Sequence, residues 1–476
     1  MFRLLLAAIA LAAIVTAPTH AGGLYCALSR FESDEAEEAY IQELRAEGPA
    51  GLEKALARFD QLTQLTRERF PAWDEDGGNS SDESIEAHRV ATEGCDRISR
   101  VVDLIAGQRG ATASRLYWYT DLDEAKAAAA ESGKPILSLR MLGKLTDEYS
   151  CANSRFFRTA LYTNREISDY LRDNYVLHWQ SVRPLPLVTI EFGDGRKLER
   201  TVTGNSAHYV LDANGRPLDV LPGLYGPQAF GAWLGRSLDL HTRYAECADE
   251  TERAFELAKF HETRRRALVR DLQSDLAEVA PEMLGDGSTE LQAALDVAGM
   301  KRPTAAAAGR IALTKSGVEA PIVAAISPDV DRAAALGGEV WQRIAQLPRH
   351  AVVLDQGSSE LMRREFPAAA VAGARAESKR RVEDPLVALV RTFESSIALD
   401  AVKNEYLLHR RIHDWYVAGQ APEDFDALNE RVYAELFLTP SSDPWLGLAP
   451  ADAYTGLDGG GLTAGAATGS QLGAAP

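Results

Sequence analysis

Two groups of side chains in this sequence have the types and spacing to do chemistry. Cys151-Ala-Asn-Ser154 stands just ahead of Phe156, Phe157 and Leu161. That order puts the sulfur near a helix start, where free N–H groups and the helix dipole favour the reactive thiolate. Such a thiolate attacks disulfides, and Ser154 can hydrogen-bond it but cannot resolve the mixed disulfide. Arg155 favours the charge, and Asp147 and Glu148 oppose it. The second group is His409 and His413 with Asp414 adjacent. Four residues apart on a helix, the two imidazoles share a face, as a metal requires. No Glu follows His409 as in H-E-x-x-H, and the spacing names no third ligand. The pair therefore reads as a surface or interface pair with no metal, and a metal-dependent enzyme around this helix is the weaker alternative. His261-Glu262 likewise lacks a second histidine. Neither a C-x-x-C-H haem motif, a Walker glycine loop nor a G-x-S-x-G elbow is present.

The elements that must position Cys151 follow from the surrounding pattern. Pro135 can only open a strand, and Ile136, Leu137 and Leu139 form an apolar run suited to burial on both faces. After the thiol and its helix, Thr163 with Glu166 predicts a capping box for a second helix lined by Ile167, Tyr170 and Leu171, before a strand over Tyr175 to Trp179. An earlier strand is expected near Leu116 to Tyr119, then a helix capped at Asp121 and stopped by Gly133. Hairpin signals follow at Gly193-Asp194-Gly195 and Asn214-Gly215, and Gly226-Pro227 opens a helix through Phe230, Trp233 and Leu234.

This order, with its Lys-Pro-Ile strand leading to a cysteine motif and a phenylalanine-bearing helix, resembles a thioredoxin-like domain over about a quarter of the chain. The resemblance implies an α/β central domain and thiol-disulfide exchange with cysteines of other exported proteins, with Cys151 attacking and Ser154 beside it. Two departures stand out: Ser154 replaces the resolving thiol, and no proline occupies the family's cis-proline position near Ala207. The alternative reading is a redox-inactive thioredoxin-fold scaffold that binds a protein partner. His178 and His208 can line the surface beside Cys151, although a structural role is the default expectation. Tyr117, Trp118, Tyr119, Trp341 and Trp415 read as core.

The rest of the chain sets the context. Met-Phe-Arg, an apolar run over Leu4 to Val15 and Thr19-His20-Ala21 form a secretory signal peptide. A periplasmic or secreted, disulfide-permitting location is therefore expected. Of the 476 residues, 455 remain after residue 21, enough for two or three domains. A helical N-terminal module is expected over 22–112, the thioredoxin-like domain over 113–240, a mainly helical domain over 241–456, and a Gly/Ala/Thr/Ser-rich disordered tail over 457–476. The period predicts a long amphipathic helix over Leu238 to Ala280 and further helices over Leu291 to Val297 and Pro385 to Val417, with Ile322 to Ile326 or Ala351 to Leu354 as short strands. Cys26 and Cys95 flank the first module and are the first choice for a structural disulfide, although four cysteines allow three pairings. The full chain has 51 basic and 69 acidic side chains, a net charge of -18. Such a surface repels phosphate backbones, so nucleic acid is not an expected partner. Neither a cofactor nor a second membrane-length apolar run is expected.

Overall fold

A computed structural model describes residues 28–70, 82–201, 205–284, 338–365 and 385–446. The leader, Cys26, the helix expected over Leu291 to Val297, the strand expected over Ile322 to Ile326 and the tail all lie outside the described residues.

Three amphipathic helices form the N-terminal module: α1 (Asp34–Ala46), α2 (Pro49–Arg69) and α3 (Asp82–Ala106). Ser33 caps α1, accepting a hydrogen bond from Ala36 N at 3.2 Å. Proline starts α2, where its missing N–H costs nothing. Leu44, Leu52, Leu56, Leu62, Ile98, Val102 and Ile105 close the space between these helices. Gly51 lets α2 approach α1, since a Cβ there would sit 1.8 Å from the Leu44 carbonyl oxygen. A short turn, α4 (Ala111–Ser114), leads on. The expected strand at Leu116 to Tyr119 contracts to one parallel bridge between Tyr119 and His178.

Helix α5 (Leu122–Ser132) is capped by Asp121 and ends at Gly133, which takes up the left-handed conformation at φ 70°. The main sheet has four strands in the order β2-β1-β5-β6. Strand β1 (Ile136–Leu142), buried throughout, runs parallel to β2 (Val176–Arg183) and antiparallel to β5 (Ser206–Leu211), with Leu139 opposite Trp179 and His208. The β1–β2 crossover passes through α6 (Ala152–Phe156), a π turn (Phe157–Leu161) and α7 (Arg165–Asn174). Asn164, not Thr163, caps α7, its side chain accepting from Ile167 N at 3.1 Å. The Thr163 hydroxyl instead donates to the Thr159 carbonyl, so the cap shifts by one residue and Thr163 does not serve the box expected with Glu166. Among the described residues, strands β3 (Leu187–Glu191) and β4 (Lys197–Thr201) pair only with each other. The hairpin that completes the main sheet is β5 with β6 (Pro217–Pro222).

A long helix expected over Leu238 to Ala280 is two: α8 (Pro227–Glu246) and α9 (Glu250–Val279). Asp249 accepts from Glu252 N at 2.9 Å while Glu252 accepts from Ala248 N at 2.8 Å, a reciprocal cap that starts α9 afresh. Then come α10 (Gly338–Ala345) and α11 (Gln356–Glu365). The expected helix over 385–417 is present as α12 (Pro385–Lys403), a π turn (Asn404–His409) and α13 (Arg410–Val417). Asp424 caps α14 (Phe425–Arg431), which continues into a π turn (Val432–Leu436). Residues 351–354 do not form the strand considered for them.

The molecule is thus a small mixed α/β sheet set among helices. The boundary expected at 240 falls inside α8, and one apolar core crosses it: Ile136, Leu139 and Cys151 share a buried cluster with Ile412, Trp415, Tyr433 and Phe437. Polar bonds follow the same path. Arg140 pairs with Asp426 at 2.9 Å, and the Tyr209 hydroxyl donates to Asn429 at 3.0 Å. Among the described residues, no helix is long and apolar enough to cross a membrane.

Arg45 joins the N-terminal module to the central sheet, donating to the Ile105 and Trp118 carbonyls and to Thr120 at 2.9, 3.1 and 2.9 Å. Arg45→Ala is expected to cost about 1–3 kcal/mol, because carbonyls shielded from water lose their donor. Urea denaturation of the full chain measures it, and an unchanged midpoint would contradict this role.

Candidate functional site

Cys151 occupies the position its spacing implies, following β1 and capping α6, with Sγ accepting from Ser154 N at 3.4 Å. Its thiol is free. The surroundings differ from the expected ones. Cys151 is 0% exposed, and burial pushes its thiol up despite the opposing hydrogen bonds from Ser154 and Leu142 and the charge of Arg155. The expected helix-terminus activation is outweighed, because the sulfur is fully buried and its charged form would lose solvation. Ser154 Oγ donates to the Cys151 carbonyl at 2.8 Å. Arg155 reaches away to Thr201 Oγ1 at 2.8 Å. Above this core sits Tyr433, whose hydroxyl donates to the carbonyls of Arg140 at 3.3 Å and Asn205 at 3.2 Å.

Of the other cysteines, Cys95 carries a free, half-buried thiol 3.5 Å from Thr66 Oγ1, while Cys26 lies outside the described residues. Cys247 is also free, and its Sγ donates to the Arg243 carbonyl at 3.3 Å.

His178 and His208 are buried, not surface-lining. His178 Nδ1 bonds Ser138 Oγ at 2.8 Å and His208 Nε2 bonds Tyr162 Oη at 2.7 Å. Burial pushes both imidazoles down to about 3. Trp118 and Trp341 are core residues, as their spacing implies.

A second constellation lies where the sheet meets the C-terminal helices. His409 and His413 are 1% and 0% exposed, so the surface reading is corrected: the pair faces inward against β6. Asp219, a lone acid in the apolar strand Leu218-Asp-Val-Leu221, meets them there. Its Oδ1 lies 3.5 Å from His409 Nε2 and accepts from Val220 N at 2.8 Å, and its Oδ2 accepts from Trp233 Nε1 at 2.9 Å. His409 Nδ1 bonds Glu405 Oε2 at 3.1 Å. From α9, His261 places Nδ1 2.7 Å from His413 Nδ1 and Nε2 3.0 Å from the Leu218 carbonyl. Burial alone would lower His409, but Glu405 and Asp219 reverse the effect and hold it up at about 9. Asp219 lies well below the usual carboxylate range, since His409 and the neighbouring imidazoles outweigh the cost of burial. Burial pushes His261 down to about 4 and His413 well below the ordinary imidazole value.

The spacing of 409 and 413 signalled this pair. Asp219, His261 and Trp233 join it from distant elements, and the local signal for Asp219 was an unpaired acid inside an apolar strand. The chain matches no known protein family, no curated protein and no solved structure.

His178 and His208 supply a test away from this cluster. Unfolded imidazoles take up protons near 6.5, whereas these two stay neutral in the fold until about 3. Their contribution to stability is therefore complete above about 6.5 and is lost as pH falls towards about 3. Urea midpoints of the His178→Gln/His208→Gln double variant should fall less steeply with acid than those of the parent, and equal slopes would contradict the assignment.

Proposed function

We propose that this chain is an exported, thioredoxin-like scaffold that binds a protein partner and keeps Cys151 as a core thiol. The complete burial of Cys151 carries this reading, since a nucleophile must reach its substrate and ionise near working pH. The element order supports the thioredoxin-like part: strand, thiol loop, helix, parallel strand, antiparallel hairpin and closing helix follow as the resemblance implies. The segment after α14 supports the scaffold part, because its Tyr433 and Phe437 share the buried core that contains Cys151.

Monothiol exchange is the second reading, favoured by the Cys151 sulfur at a helix cap with the Ser154 N–H directed at it. It requires the segment bearing Tyr433 to withdraw.

Alkylation distinguishes the two. On the scaffold reading, native Cys151 resists iodoacetamide until the chain unfolds, while Cys95 and Cys247 react faster. Cys151→Ser is expected to destabilise by about 1–3 kcal/mol, because it exchanges a small apolar sulfur for a hydroxyl that needs a partner. Native labelling of Cys151 as fast as Cys247, together with reduction of insulin disulfides by Ser154→Cys, would favour exchange and defeat the scaffold reading.

A further inference from the structure

The hydrogen-bond directions around Asp219 leave one nitrogen without a role. Carbonyls only accept, so the Leu218 carbonyl requires a proton on His261 Nε2. Neutral His261 then has a bare lone pair on Nδ1, and the 2.7 Å contact makes His413 Nδ1 the donor to it. His413 Nε2 is left as an unprotonated lone pair, fully buried and, among the described residues, without a hydrogen-bond partner. Across from it, His409 donates Nδ1–H to Glu405 and turns Nε2 towards Asp219 Oδ1 at 3.5 Å. One ligand atom from each of Asp219, His409 and His413 lies within 4.8 Å of the others.

Three electron-pair donors therefore converge in a space closed to solvent. A single proton between His409 and Asp219 satisfies two of them and does nothing for His413 Nε2. A cation satisfies all three. We propose that Asp219 Oδ1, His409 Nε2 and His413 Nε2 hold one divalent first-row ion, zinc by its donor set, which fastens the helix after α12 to strand β6.

The donor chemistry selects the class of ion. Two imidazoles and one carboxylate suit zinc, whereas calcium and magnesium prefer oxygen ligands. Ligands bound about 2.0–2.1 Å from a tetrahedral zinc lie about 3.4 Å apart, close to the spacing between His409 Nε2 and Asp219 Oδ1. The surrounding residues fit as well, because each ligand is already oriented through its other polar atom: His409 by Glu405, His413 by His261, and Asp219 by Trp233. Metal-binding histidines usually have such outer partners. Arg264 lies 3.7 Å from Glu405 Oε1, on the oxygen turned away from His409, and leaves the inner carboxylate oxygen to the ring. Three protein ligands leave one position of a tetrahedral zinc to a non-protein ligand. Since the ligands come from β6 and from the helix carrying the π turn, binding stabilises the joined state over the separated one.

The test uses the untagged full chain, stripped with chelator and titrated with zinc, with cobalt(II) as a spectroscopic probe. One equivalent of zinc should survive gel filtration and raise the melting temperature, and X-ray absorption should report a nitrogen- and oxygen-only shell. His413→Gln should abolish stoichiometric retention. His261→Phe, which keeps all three ligands but removes the acceptor that orients His413, should weaken binding about 10- to 100-fold. His208→Gln, a buried histidine outside the cluster, should bind as the parent does. The proposal is overturned if the folded parent retains no stoichiometric zinc. Equal retention by folded His413→Gln, or sulfur in the X-ray absorption shell, would overturn it too. Should His413→Gln fail to fold, the parent's absorption shell and its chelator-dependent melting temperature decide alone.

Discussion

The carboxylate of Asp219 is the constraint on which the arrangement depends. A buried acid in the middle of a strand is tolerated only where donors converge on it. Here they come from its own strand through Val220 N, from α8 through Trp233 Nε1, and from the C-terminal helix through His409. Satisfying one side chain thus fixes where two helices stand against the sheet. The adjoining turn reinforces the docking, because Asn404 in the π turn donates to the Leu224 carbonyl at 3.1 Å. Gly223, at φ 89°, lets that side chain approach, since a Cβ there would meet Asn404 Nδ2 at 2.3 Å.

The fate of Cys151 follows from the same docking. With the C-terminal helices fastened to the sheet, α14 and its π turn add Phe425, Tyr433 and Phe437 to the core that contains the sulfur. Burial then outweighs every contribution that would favour a thiolate. The departure at Ser154 agrees with the proposed scaffold reading, on which a second thiol would have no mixed disulfide to resolve.

Much of the architecture was legible locally. Pro135 with its apolar run, Asn214-Gly215, Gly226-Pro227 and the 385–417 periodicity marked elements that the structure contains. The break between α8 and α9 was also readable in Asp249 and Glu252, a capping pair inside an otherwise continuous amphipathic pattern. Periodicity alone runs past such a cap because it reports the face and not the end. What the sequence could not convey was long-range. Cys151 is buried by residues roughly 280 positions away, and Asp219 finds His409 across 190 positions. The Val188–Phe192 and Leu198–Val202 segments signalled a hairpin, which forms as β3 with β4, but local alternation did not tell that it stands apart from the main sheet.

The central claim is that the sheet and the C-terminal helices form one cooperative unit through Asp219. Native-state hydrogen exchange across a denaturant series measures this directly, since each amide reports the free energy of the opening that exposes it. The account predicts that protected amides of β6 and of residues 409–417 share one opening energy with those of β1 and β5. If the 409–417 amides exchange through a separate, lower-energy opening while β1 and β5 remain protected, the helices are an appendage and the account is contradicted.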